Sequence, residues 1–184
     1  VFISAKPSWT KELQTKGLTD AYSRVTIAGN QLSWVTAKSR LHPIELKNGI
    51  SGASFVDEYG DSLCFFGDPE YLAEGTYGLE ALNSLSLMGE MEPCFSFLQE
   101  HSDMLRSIIR YEGYGLVFSS EARIFPGIKE INELPAETHS PILYQAVVVA
   151  GEDMPAGREF LGYLATDSAK NIFREFRFSV PDAS

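Results

Sequence analysis

Ser62–Phe66 reads Ser-Leu-Cys-Phe-Phe, an apolar run without alternation that stops at Gly67-Asp68-Pro69. A strand of that composition has no polar face to give to water. It has to be covered on both sides, as a central strand is when helices pack above and below an α/β sheet. The same motif of short apolar run, turn and helix recurs along the chain. Tyr114–Phe118 reads as a second buried strand, Phe95–Leu98 is strand-like, and Ile142–Val149 after Pro141 is a long apolar strand. Val1–Ser4 opens the chain as a short strand, and Gln31–Thr36 alternates. Pro7 starts and Gly17 stops a helix near Ser8–Lys16. Further helices are predicted near Glu74–Leu85, over Ser102–Arg110 with Asp103 in its first turn, near Ala156–Leu164 after Pro155, and near Asp167–Phe176. Lys38 to Gly60 is polar and turn-rich. Strands alternating with helices predict an α/β fold with mostly parallel sheets.

Charge and composition narrow the function. Fifteen Lys and Arg against 25 Asp and Glu leave a formal charge of -10, with no basic cluster. Nucleic acid is therefore not an expected partner. The same charge repels anions at long range, so an anion site here has to rest on local dipoles and backbone N–H groups. A hydrophobic content of 44% suffices for a sizeable core. No window of about 18 apolar residues exists, so no membrane span is expected. Cys64 and Cys94 fit either one disulfide or two buried thiols. Their spacing matches no metal motif, and no cofactor is expected. The chain opens directly on Val1-Phe2-Ile3 without a basic-then-apolar leader. A start inside a buried strand implies that something upstream has been lost, and that another chain or segment covers the apolar face left on Val1–Ile3 and the C-terminal helices.

Nothing assembles into a catalytic centre. Ser119-Ser120 follows a strand, but the glycine-flanked nucleophile elbow is missing. His42, His101 and His139 are scattered and lie in or beside loops, and no phosphate loop, dinucleotide fingerprint or zinc spacing appears. The chain reads as a non-enzyme. More informative are two strand-to-helix turns. Gly67-Asp68-Pro69-Glu70 leads into the helix beginning near Glu74-Gly75, and Glu100-His101-Ser102-Asp103 leads into the helix carrying Met104 and Leu105. Helix N-termini present unpaired N–H groups and a partial positive charge, which suits an oxyanion, although ordinary capping gives the same pattern.

Five stretches in register resemble one family. They are Val1-Phe2-Ile3-Ser4-Ala5 with Trp9 and Ala28-Gly29-Asn30-Gln31-Leu32; Gly67-Asp68-Pro69-Glu70 with Gly75 and Tyr77; Gly115-Leu116-Val117-Phe118-Ser119-Ser120-Glu121-Ala122; Leu134-Pro135 through His139-Ser140-Pro141-Ile142 with Tyr144; and Phe160-Leu161 with Ala169 and Ile172-Phe173. Together, from Val1 to about Phe178, they resemble the periplasmic molybdate-binding proteins of ABC transporters, without the family's N-terminal segment. The resemblance implies a two-lobed α/β periplasmic-binding-protein fold with one lobe truncated and the ligand between the lobes. Residues 1–37 would form part of lobe 1 and the first crossing strand, 38–139 lobe 2, and 140–184 the second crossing strand and the C-terminal helices of lobe 1.

It also implies an extracytoplasmic receptor that hands molybdate or tungstate to a permease. The alternative is a binding-protein fold kept as an accessory subunit of a larger complex, its ligand site decayed. Of the family's oxyanion ligands, two serines would fall upstream of Val1. One backbone donor falls on Glu74, normally a small residue, and a second on His101 or Ser102. The family's tyrosine falls on Phe118, which has no hydroxyl.

Overall fold

The computed structural model describes residues 1–43, 45 and 63–181. Most of the polar Lys38 to Gly60 stretch, and Ser62, lie outside the described residues. In chain order the elements are β1 (Phe2–Ser4), α1 (Pro7–Thr15), β2 (Val25–Asn30), β3 (Leu32–Ala37), β4 (Cys64–Gly67), α2 (Ala73–Ser84), α3 (Met88–Met91), β5 (Phe95–Leu98), α4 (His101–Arg110), β6 (Tyr114–Phe118), α5 (Ser119–Ile124), β7 (Ile128–Glu133), β8 (Ile142–Val147), α6 (Met154–Leu164) and α7 (Asp167–Glu175). They divide into two compact units. One comprises Val1–Asn30 with Pro141–Ser184, the other Gln31–Ser140.

The Gln31–Ser140 unit is built on a five-stranded sheet of order β5-β4-β6-β3-β7. β4 pairs parallel with both β5 and β6, while β3 runs antiparallel to β6 and to β7. Four of the five strands, β4, β5, β6 and β7, therefore share one direction. β3, β4 and β6 are buried along their whole lengths. On one sheet face Trp34 stacks on Tyr114 with centroids 5.1 Å apart and on Phe66 at 6.3 Å. On the other, Val35, Phe65 and Val117 pack against Met104, Leu105 and Ile108 of α4 and Ala122 of α5. With both faces covered, the lack of alternation in β4 and β6 has its physical reason.

The other unit departs from the expectation of parallel strands. Its three strands, in the order β1-β8-β2, are antiparallel throughout. β1 and β2 run the same way and are linked across α1, but β8 lies between them in the opposite sense. Ile27, Ala28, Ala146 and Leu164 form the core here, with Tyr144, Leu161, Phe173 and Phe178 packed against it. Reciprocal backbone bonds between Gly29 and Ser179, of 2.8 and 3.0 Å, tie the C-terminal segment to β2. On α1, the Thr10 hydroxyl donates to Gln145 Oε1 on β8 at 2.8 Å. Cys64 and Cys94 are both buried free thiols. No helix among the described residues is long and apolar enough to cross a membrane.

Candidate functional site

Parallel neighbours end at the same edge of a sheet, so β4, β5 and β6 deliver three helix starts to one place. α2 lies against Leu116 and Phe118 on one face of the sheet, and α4 lies against Val35 and Phe65 on the other. The chain thus changes faces at β4, and ligands of open α/β sheets bind beyond the carboxyl ends of the strands at such a reversal. The local sequence builds each start. The Asp68 carboxylate accepts from the Glu70 N–H at 2.9 Å, the Asp68 carbonyl accepts from Leu72 N–H at 2.8 Å, and Asp68 N–H donates to Leu98 O at 2.8 Å. Gly75 then lets α2 approach the end of β4 closely, because a Cβ there would stand 2.2 Å from the Gly67 carbonyl oxygen. Neither α2 nor α4 has a side-chain N-cap: Leu72 and Glu100 precede them in extended conformation.

Three ionisable side chains meet there, one from each helix. His101, first residue of α4, places Nδ1 2.7 Å from Glu74 Oε1 in the first turn of α2. Its Nε2 stands 3.3 Å from Glu121 Oε1 in the first turn of α5. The Glu74 side chain is 8% exposed, and those of His101 and Glu121 are 31% and 30% exposed. The hydrogen bond to Glu74 raises the His101 pKa, and the charges of Glu121 and Glu74 add to it against a smaller opposing effect of burial. Burial pushes the Glu121 carboxyl up to about 7, with Glu74 adding to the rise while His101 and a backbone bond from Phe118 pull the other way. Glu121 Oε2 is fully buried and has no hydrogen-bond partner among the described residues.

Of the residues singled out from sequence, Glu74 and His101 are brought into direct contact. Ser102 is the second residue of α4 and is exposed. Phe118 is buried against Tyr77, centroids 6.4 Å apart, and Tyr77 also meets His139 edge-on at 6.2 Å. Glu121 was not anticipated. Its signal was available, because Ser119-Ser120-Glu121 follows a buried strand and forms a third strand-to-helix turn like the other two. Ser119 shares a 2.7 Å hydroxyl bond with Ser33, which donates to Glu130 at 3.2 Å. Its neighbours are thus not those of an activated nucleophile. Groups of His, Cys, Asp and Glu able to hold a metal ion are absent among the described residues.

The sequence pattern of the bacterial extracellular solute-binding proteins matches residues 1–179, and the chain belongs to that family. Within it, the chain is similar to the molybdate-binding protein ModA of Haemophilus influenzae, with 30% identity over 181 residues, 97% of this chain and 70% of that protein. ModA of Escherichia coli is 28% identical, over 98% of this chain and 70% of its own length. Among solved structures, the periplasmic molybdate-binding protein of Azotobacter vinelandii shares the fold, with a TM-score of 0.77 at 19% identity, covering 98% of this chain and 78% of that one.

Proposed function

We propose that this chain is an extracytoplasmic receptor for a small oxyanion of the molybdate and tungstate kind, which it delivers to the permease of an ABC transporter without chemical turnover. The carrying observation is the meeting of three helix starts at Glu74, His101 and Glu121, within a family of solute-binding proteins. Helix N-termini offer N–H donors and positive potential to an anion. In this reading the backbone N–H groups at Glu74 and at His101 or Ser102 face the ligand, and Phe118 lines the site without donating. Two carboxylates beside an anion are a liability, since unit charges 4 Å apart cost about 4 kcal/mol at an effective dielectric of 20. His101, hydrogen-bonded to Glu74 and within ion-pair distance of Glu121, sets a positive group against them when protonated.

Titration calorimetry at pH 6 with molybdate, tungstate, sulfate and phosphate tests the reading. Molybdate and tungstate are expected to bind, with sulfate and phosphate weaker. Absence of binding by molybdate and tungstate alike would overturn it.

A further inference from the structure

We propose that oxyanion capture by this chain takes up a proton at Glu121, so that the ligand meets one negative charge fewer; this rests on the oxyanion reading above. His101 is engaged on both sides of its ring, with Nδ1 hydrogen-bonded to Glu74 at 2.7 Å and Nε2 within ion-pair distance of Glu121 Oε1 at 3.3 Å. What remains is Glu121 Oε2, buried and unpartnered among the described residues. An ionised carboxylate is acceptor only, and a bare buried oxygen on it is costly; a protonated one becomes a donor. An oxyanion has no proton to give, so its charge makes an ionised Glu121 beside it costlier still unless a proton neutralises that carboxylate. Solvent supplies that proton, and the –COO⁻ of Glu121 becomes –COOH as the ligand enters.

The surrounding groups leave Glu121 as the acceptor of this proton. On α2, Glu74 is committed to His101, and Glu80 accepts from Ser140 N–H at 2.7 Å. Tyr77, its phenol pKa raised by burial and by Glu80, lies against Phe118. On α4, Asp103 pairs with Arg106 at 2.8 Å, and Glu100 is exposed. On β7, Glu130 accepts from Ser33 and the Lys129 amine donates to the Arg40 carbonyl. Arg123, on α5 itself, is exposed. The raised pKa of Glu121 agrees with this geometry, since it puts the titration where a pH change of one or two units matters.

The test is calorimetry of the whole chain with molybdate from pH 6 to 8.5, in buffers of different ionisation enthalpy. Proton uptake per molybdate is expected to rise toward one above neutrality, and affinity to fall about tenfold per pH unit there. Glu121→Gln, whose amide also donates, should flatten that profile. A carbon-13 NMR titration of the Glu121 carboxyl in the parent chain needs no variant, and should show its pKa rising when molybdate is added. Molybdate binding with no buffer-dependent heat and a flat pH profile overturns the proton linkage and leaves the receptor reading standing. An unchanged slope in Glu121→Gln places the proton elsewhere and also overturns it. Failure of molybdate and tungstate to bind at pH 6 overturns the receptor reading, and the linkage with it.

Discussion

The two units of this chain differ in size and in how completely they bury their apolar side chains. In the Gln31–Ser140 unit, helices cover both faces of a five-stranded sheet, and Trp34, Phe66 and Tyr114 are among its fully buried side chains. The other unit has only three strands, and its helices keep large apolar groups in water. Phe160 is 44% and Tyr163 46% exposed on α6, with Ile172 at 49% and Phe176 at 43% on or just after α7. A two-sided sheet removes apolar surface from both faces of every central strand, whereas a small sheet with two edge strands has fewer such positions. Stability should therefore be concentrated in the unit that also holds the candidate site.

The sharpest way to break that contrast is a matched pair of truncations. Trp34→Ala removes the ring stacked between Tyr114 and Phe66 and should cost its unit about 4 kcal/mol; Leu164→Ala, in the smaller core, should cost about 2 kcal/mol. Hydrogen exchange read by mass spectrometry reports on each unit separately, and equal losses would refute the asymmetry. A second difference concerns pH. Glu121 and His101 both hold protons more tightly when folded, so their contribution is present at low pH. The Glu121 share is lost as pH rises from about 4.5 through about 7, and the His101 share only as pH rises above 6.5. The site-bearing unit should lose about 2 kcal/mol between pH 5 and 8, the other far less, and Glu121→Gln should remove much of the slope. Melting curves across that range in both proteins settle it, and a parent chain that gains stability with pH would contradict the sign. The smallest effect expected is at Phe160 and Tyr163. Replacing either with Ser should change stability by less than about 0.5 kcal/mol, as exposed side chains do. A larger loss in chemical denaturation would show that this face is covered in solution.

Much of this fold could be read from local pattern, and the failures have physical causes. β4 and β6 were legible because complete burial leaves an unbroken apolar run. β7, Ile-Lys-Glu-Ile-Asn-Glu, was not recognised, since an edge strand with charged outward positions looks like a polar connection. β2 was missed for a different reason: Val-Thr-Ile-Ala-Gly-Asn follows a polar entry and contains a glycine, with its burial confined to one end. The helices were found to within one or two residues where Pro or Gly marks an end. α5 has neither mark and was overlooked, and Glu121 with it. The approach of Glu74 to His101 could not have been read at all. Twenty-seven positions separate the two residues, and only the parallel pairing of β4 with β5 brings their helix starts together.

Positions 74 and 75 are chain neighbours with opposite mutational tolerance. Any side chain at Gly75 would be driven into the Gly67 carbonyl oxygen, so that position can hold nothing larger without prising α2 off the end of β4. Glu74, beside it, owes its place to that contact, but its side chain supplies a carboxylate and no backbone group, and the helix start would survive its replacement. The scaffold thus separates where the side chain at the head of α2 stands from what that side chain is. A saturation library across the two positions should recover many residues at 74 and almost none at 75, so that the charge carried at the head of α2 can drift from one lineage to another while its place stays fixed.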